Sequence, residues 1–286
     1  MFTRPDDLDE SVLDAALRTG WGFSSTSLTY QPVGFGSHHW LAVDAAGTRR
    51  FVTVDDLRGR LRSVEDTTDM AYARLTSAIA ASYSLRELDF VAAPIPTGDG
   101  TLLRRLSDRY SVVVHAFLTG ANATDDDLPA IVDRVAELHR AQVPVAPVDD
   151  FAVPNRDRLV SLIESVGTPW STGPYAERAR SLLAKHADGL RALMRAYDGM
   201  AARVAARPDR MVLTHGEPGP NNVMMTPTGP MLVDWESALL APPERDLWDL
   251  VETGGDWVIE RYTAASGIEV DREALACCRL YYDLFE

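Results

Sequence analysis

The stretch Val212–Leu250, VLTHGEPGPNNVMMTPTGPMLVDWESALLAPPERDLWDL, constrains this chain more than any other. Two apolar runs, Met211-Val212-Leu213 and Met231-Leu232-Val233, each lead directly into polar and acidic residues. The pattern reads as strand, polar loop, hairpin, acidic pair and helix start. Strand ends that carry carboxylates and amides are where an α/β arrangement performs chemistry. The loop offers His215, Glu217, Asn221 and Asn222, and the second strand end offers Asp234 and Glu236. Carboxylates beside an amide oxygen are hard donors, suited to Mg²⁺ and phosphate oxygens rather than to zinc.

The remainder must supply a body for that stretch. With 286 residues, 46% of them hydrophobic, it can bury a substantial core as one large domain or two lobes. A formal net charge of −14 argues against a nucleic-acid binder and fits either plain solubility or cationic ligands. Cys277 and Cys278 are adjacent, so no disulfide framework is possible, and a reducing, cytoplasmic setting is expected. The start, MFTRPDDLDE, is acidic and lacks the apolar run of a signal peptide, and no stretch approaches a membrane span.

Along the chain, residues 6–19 predict a helix with Leu8, Val12, Leu13 and Leu17 on one side, ended by Gly20. Strands are expected at 27–32, 40–43 and 50–54. The first two flank Gly34, Gly36, Ser37, His38 and His39, where glycines let backbone N–H groups approach a phosphate. An alanine-rich helix over 66–84 places Met70, Leu75 and Ile79 in the core, and strands follow at 101–106 and 110–117. Thr124 is a candidate cap for a helix over 125–141 that ends at His139, and a long loop is expected over 143–158. Helices are expected near 156–166, from 174 toward 206, and over 246–253, 256–264 and 271–286. Between residues 244 and 260 six acids accompany one arginine, and Asp249, Glu252 and Asp256 fall at spacings of three and four. That pattern fits either a solvated helix face or an acidic wall for a cationic partner.

The central stretch resembles the catalytic core of the aminoglycoside phosphotransferases and their protein-kinase-like relatives. His215-Gly216-Glu217 followed by Asn222 matches their loop, Asp234-Trp235-Glu236 their acidic pair, and Pro243-Glu244-Arg245-Asp246-Leu247 their tail. The resemblance implies an α+β, bilobal, protein-kinase-like fold. Residues 1–117 would form a small lobe with a five-stranded antiparallel sheet, and residues 118–286 a larger, mainly helical lobe. It implies ATP or GTP as donor and Mg²⁺ as metal. Gly34, Gly36, Ser37, His38, His115 and Phe117 would be cofactor-binding, and Asn222, Asp234 and Glu236 metal-binding. Glu217, Asn222 and Asp234 would be catalytic, with Glu217 in the place of the family's aspartate, while His215 and Asp246 structure the loop. Asp249, Glu252 and Asp256 would bind the acceptor.

Two departures stand out. The position of the family's phosphate-clamping lysine falls at Thr53, and Lys185 is the only lysine among 28 basic residues, so none precedes it. Arg49, Arg50 and Arg74 are the candidates to replace it, with His38 and His39 behind them. The last helix also stops at 286, where related chains often carry more helix. The branch nearest in pattern contains the spectinomycin enzymes and those acting on the cyclic basic peptides viomycin and capreomycin. The expected activity is therefore phosphorylation of a hydroxyl on a cationic antibiotic by a monomer or weak dimer, with no nucleic-acid or membrane partner. A small-metabolite kinase for choline, homoserine or a sugar is one alternative, and a kinase-like binding protein without catalysis is another.

Overall fold

Asp9 begins the first helix, its side chain accepting the Ser11 N–H at 2.8 Å, and Gly22 ends it in the left-handed conformation at φ 61°. In the computed structural model, which describes residues 1–143 and 146–285, this helix is α1 (Glu10–Trp21). Strands β1 (Ser25–Gln31), β2 (Ser37–Asp44) and β3 (Arg49–Asp56) follow, then α2 (Thr68–Ser84), β4 (Leu103–Arg105) and β5 (Tyr110–Ala116). The rest comprises β6 (Ala121–Asn122), α3 (Leu128–Arg140), α4 (Arg156–Glu164), α5 (Ala176–Ala205), β7 (Val212–Thr214), β8 (Val223–Thr226), β9 (Gly229–Leu232), β10 (Leu239–Ala241), α6 (Glu244–Gly254), α7 (Asp256–Ser266) and α8 (Arg272–Phe285). Among the described residues no helix is long and apolar enough to cross a membrane. The loop expected over 143–158 and the final residue of the last helix fall partly outside the described residues, at 144, 145 and 286.

The first five strands form an antiparallel sheet in the order β1-β2-β3-β5-β4. Its register decides which side chains can reach a ligand, because alternate residues face opposite sides. One face carries Trp40, Ala42, Val52, Val54, Tyr110, Val112 and Val114. It is sealed by Leu13 and Leu17 of α1. The other face carries Ser37 and His39 opposite Asp55 and Thr53, and next to them Ser111, Val113 and His115. Val113 of that face is covered by Leu75 and Ile79 of α2, while Ser37 and Asp55 lie toward Arg60 and Glu236 at the cleft. Val12, expected on one side of its helix with Leu13 and Leu17, and Met70, expected in the core, are instead 44% and 51% exposed. Each lies one residue, about 100° of helix rotation, off its buried stripe, which is Leu13 and Leu17 in α1 and Ala71, Leu75 and Ile79 in α2.

Beyond the sheet, the largest core is built from Leu128, Ile131, Val132, Val135 and Leu138 of α3 packed with Leu247, Leu250, Val258 and Tyr262. Two small sheets, β6-β8-β9 and β10-β7, lie on this helical body and carry the central stretch. The segment 91–95 joins the two halves. Ala92 N–H donates to Leu232 O at 3.0 Å, and Ile95 N–H donates to Val114 O at 2.7 Å.

Gly120 is where the chain enters this body. A Cβ there would lie 2.3 Å from Met225 O and 3.0 Å from Met225 C, both fixed by the β6–β8 pairing. Gly120→Ala is expected to destabilise the fold by about 1–3 kcal/mol, as overpacking against rigid backbone does. Urea unfolding would read this, and a midpoint equal to wild type would refute it.

Candidate active site

The loop that follows β7 is shaped by hydrogen bonds rather than by regular structure. Asp246, at the start of α6 and 1% exposed, accepts the N–H groups of His215 (2.8 Å) and Gly216 (2.6 Å) and contacts His139 Nε2 at 3.0 Å. His139 Nδ1 in turn meets the Tyr262 hydroxyl at 2.8 Å. Burial works against the Asp246 charge, yet the hydrogen bond and charge of His139 together with Arg245 hold its pKa below the usual value. Arg245 braces the loop from beneath, donating to Thr214 Oγ1 (2.8 Å) and Ser237 O (3.1 Å). Gly216, at φ 111°, leaves no room for a side chain, since a Cβ would lie 2.8 Å from an Arg245 nitrogen. Glu244 completes the tail by binding Arg210 at 2.5 Å and the Asp271 N–H at 2.6 Å.

Val233 fastens this loop to the strand that delivers the acidic pair. Its N–H donates to Asn222 O at 3.0 Å, and its carbonyl accepts His215 Nε2–H at 2.7 Å. His215 Nδ1 accepts the Glu217 N–H at 3.3 Å, so its tautomer is fixed, and burial lowers its pKa and keeps the ring neutral. Asn222 and Asp234 therefore sit at adjacent strand ends. Asn222 Nδ2 donates to Glu217 O at 2.9 Å, so Oδ1 is the atom this amide could offer to a cation. Asp234 adopts φ 69°, a left-handed conformation that aspartate tolerates better than most residues. Asp234 is exposed at the residue level, but protein crowds its carboxyl, so burial and then the Glu236 charge raise its pKa well above the ordinary value. Glu217 is exposed beside Asn222.

Glu236, expected as a metal ligand, meets an arginine. Its Oε1 is 2.5 Å from Arg60 Nη2, and the same nitrogen lies 2.5 Å from Asp55 Oδ1 and 3.1 Å from Ser37 Oγ. Burial opposes the Glu236 charge, but Arg60 and a hydrogen bond from Asp234 lower its pKa. Among the described residues no group of three His, Cys, Asp or Glu side chains is arranged to hold a metal. Asp234 with Asn222 nevertheless suits Mg²⁺, which typically takes one or two carboxylates and completes its shell with water and phosphate oxygens.

The remaining expected residues divide. Gly34 and Gly36 adopt φ 69° and 83°, as a glycine flap requires, and Ser37 begins β2 with its hydroxyl donating to Asp55 at 2.8 Å. His115 faces the cleft, and Phe117 lies under the Arg49 guanidinium at 4.3 Å. His38 is corrected: strand alternation turns it to the sealed face, among Tyr30, Trp40 and Tyr110. Its neighbour His39 faces the cleft instead, 3.3 Å from Thr53 Oγ1. Of the three acids expected at the acceptor, Asp249 alone lies against the loop after β7, its Oδ2 3.1 Å from where a Gly219 Cβ would be. Glu252 and Asp256 pair instead with Arg279 at 3.0 Å and Arg272 at 3.1 Å. Alternation could have separated His39 from His38, but no spacing rule pointed to Arg60.

An α+β arrangement of this kind, with the sheet closing over a helical body, is the build of kinase-like enzymes, and carboxylate, amide and flap converge where such enzymes handle phosphate. The chain belongs to the phosphotransferase enzyme family (APH), whose profile matches residues 37–281. It is 31% identical over 175 residues to Protein StrN of Streptomyces griseus, a match covering 55% of this chain and about half (53%) of that protein. In fold it is similar to spectinomycin phosphotransferase APH(9)-Ia, solved with ADP and spectinomycin. That TM-score is 0.72 at 15% identity, over 98% of this chain and 86% of the other. Choline kinase LicA from Streptococcus pneumoniae gives a TM-score of 0.58 at 14% identity, over 96% and 87%.

Proposed function

We propose that this phosphotransferase uses ATP and Mg²⁺ to phosphorylate a hydroxyl of a cationic antibiotic. The observation that carries the reading is the pairing of Asn222 and Asp234 at neighbouring strand ends, with Glu217 beside them and the glycine flap opposite. The division of labour that follows has residues 1–117 holding the nucleotide and residues 118–286 holding the metal and acceptor. Backbone groups of His115, Ala116 and Phe117, at the end of β5, read the adenine edge. Asp234 and Asn222 hold the metal, which when bound supplies charge neutralisation at the phosphate oxygens. Glu217 accepts a hydrogen bond from the acceptor hydroxyl and orients its oxygen. That oxygen bonds to the γ-phosphorus as the bond to the bridging β-phosphate oxygen breaks, and the hydroxyl proton passes late to Glu217. Asp249 supplies counter-charge to a cationic acceptor near the loop.

Support for an antibiotic comes from the spectinomycin enzyme, which binds ADP and spectinomycin and aligns over most of this chain. The choline kinase of similar fold keeps a small cationic metabolite as the second reading. Mass spectrometry of aminoglycosides and basic cyclic peptides after incubation with enzyme, Mg²⁺ and ATP decides between them. Addition of one phosphate to a panel member is the expected result. Modification of choline-like metabolites alone would replace the antibiotic reading.

A further inference from the structure

A triphosphate needs a cation in this cleft, and the cleft face of β3 offers Phe51, Thr53 and Asp55. Lys185 is exposed on α5. Arg49 is committed to Phe117 and Thr119, and Arg50 lies over Phe23 at 5.6 Å. Arg74 holds Asp66 at 2.5 Å and Arg60 O at 3.0 Å. His39 and His115 do face the cleft, but burial pushes both to about 4, so they are neutral near pH 7. None of these groups presents a positive charge to phosphate.

Arg60 does. It ends a short helical turn, Leu57–Arg60, directly after β3, and its side chain folds back into the cleft. Its Nη2 stands where three parts of the site meet: Ser37 at the foot of the flap, Asp55 at the end of β3, and Glu236 two residues beyond Asp234. All three contacts crowd onto that one nitrogen, while Nε is buried with no partner among the described residues. An arginine fork is built to bind two oxygens at once, so this geometry leaves most of its capacity unused. A lysine on β3 would rise straight from the strand. An arginine placed beyond the strand end needs its extra length to reach back to the same space.

Resting on the phosphotransferase reading, we infer that Arg60 is the phosphate-binding cation of this chain. It replaces the absent β3 lysine from a different structural element and lies against Asp55 and Glu236. Phosphate oxygens compete with the two carboxylates for the guanidinium. Asp55 then acts as a rival to the nucleotide rather than a helper.

Calorimetry with the full chain tests this using two probes: AMP-PNP with Mg²⁺, which carries the phosphates, and adenosine, which carries none. Arg60→Ala should weaken AMP-PNP by about 30-fold and leave adenosine within about twofold, as expected for the loss of charge-assisted hydrogen bonds. Arg60→Lys keeps the charge and fills the site should the alanine variant fold poorly. It should lose about fivefold for AMP-PNP and nothing for adenosine, because only the fork is missing. Asp55→Asn should bind AMP-PNP as tightly as wild type or more tightly. Undiminished AMP-PNP affinity in the arginine variants, equal losses for both probes, or an Asp55→Asn loss matching that of Arg60→Ala each overturns the inference alone. Wild-type protein that binds neither probe overturns the phosphotransferase reading as well.

Discussion

Asp234→Asn is expected to lower kcat by about a thousandfold, measured on whichever acceptor gains phosphate in the mass-spectrometric panel. The substitution isolates charge from shape. Asparagine tolerates the left-handed backbone at φ 69° at least as well as aspartate, so the strand end keeps its geometry. It also removes a carboxylate that burial and the neighbouring Glu236 charge already disfavour in ionised form. The melting temperature should therefore hold or rise while turnover collapses, which separates a functional acid from a structural one. Retention of more than about a tenth of wild-type kcat would remove Asp234 from the centre of the mechanism.

Asp246→Ala should have the opposite signature. The carboxylate satisfies the buried N–H groups of His215 and Gly216 and contacts His139, so its removal leaves several polar groups without partners. A loss of about 3–5 kcal/mol is expected, a fall in melting temperature on the order of 10 °C, with activity lost alongside it. The pH dependence carries a sign. The folded pKa of Asp246 is lowered, so its contribution is complete above the unfolded carboxylate value near 4 and fades as pH falls through the depressed folded value. Stability curves of wild type and variant should converge in that acidic window. Parallel curves down to pH 2 would mean that Asp246 does not supply the difference.

Much of the site was legible because it lies where local rules are strong. Apolar runs ending in His215-Gly216-Glu217 and Asp234-Trp235-Glu236 mark strand ends, and those strand ends are adjacent in the fold. The five-stranded sheet could be read for a similar reason, since glycine turns separate most of its strands. What escaped was information carried by facing and by distance. His38 and His39 differ only in which side of β2 they occupy, and that depends on register against β3. Arg60 meets Glu236 across 176 positions of sequence, a contact that no local pattern encodes. Glu252 and Asp256 look like a wall with Asp249 when read along one helix, but the arginines that neutralise them come from α8.

The strap at 91–95 has a mechanical consequence. It is bonded at one end to β9, which leads to the acidic pair, and at the other to β5, which leads to His115. Sliding the sheet over the helical body would break both bonds at once, whereas tilting about the strap preserves them. Any widening of the gap is therefore a swing about a fixed axle, with the flap travelling furthest and the Asp234 strand end hardly at all.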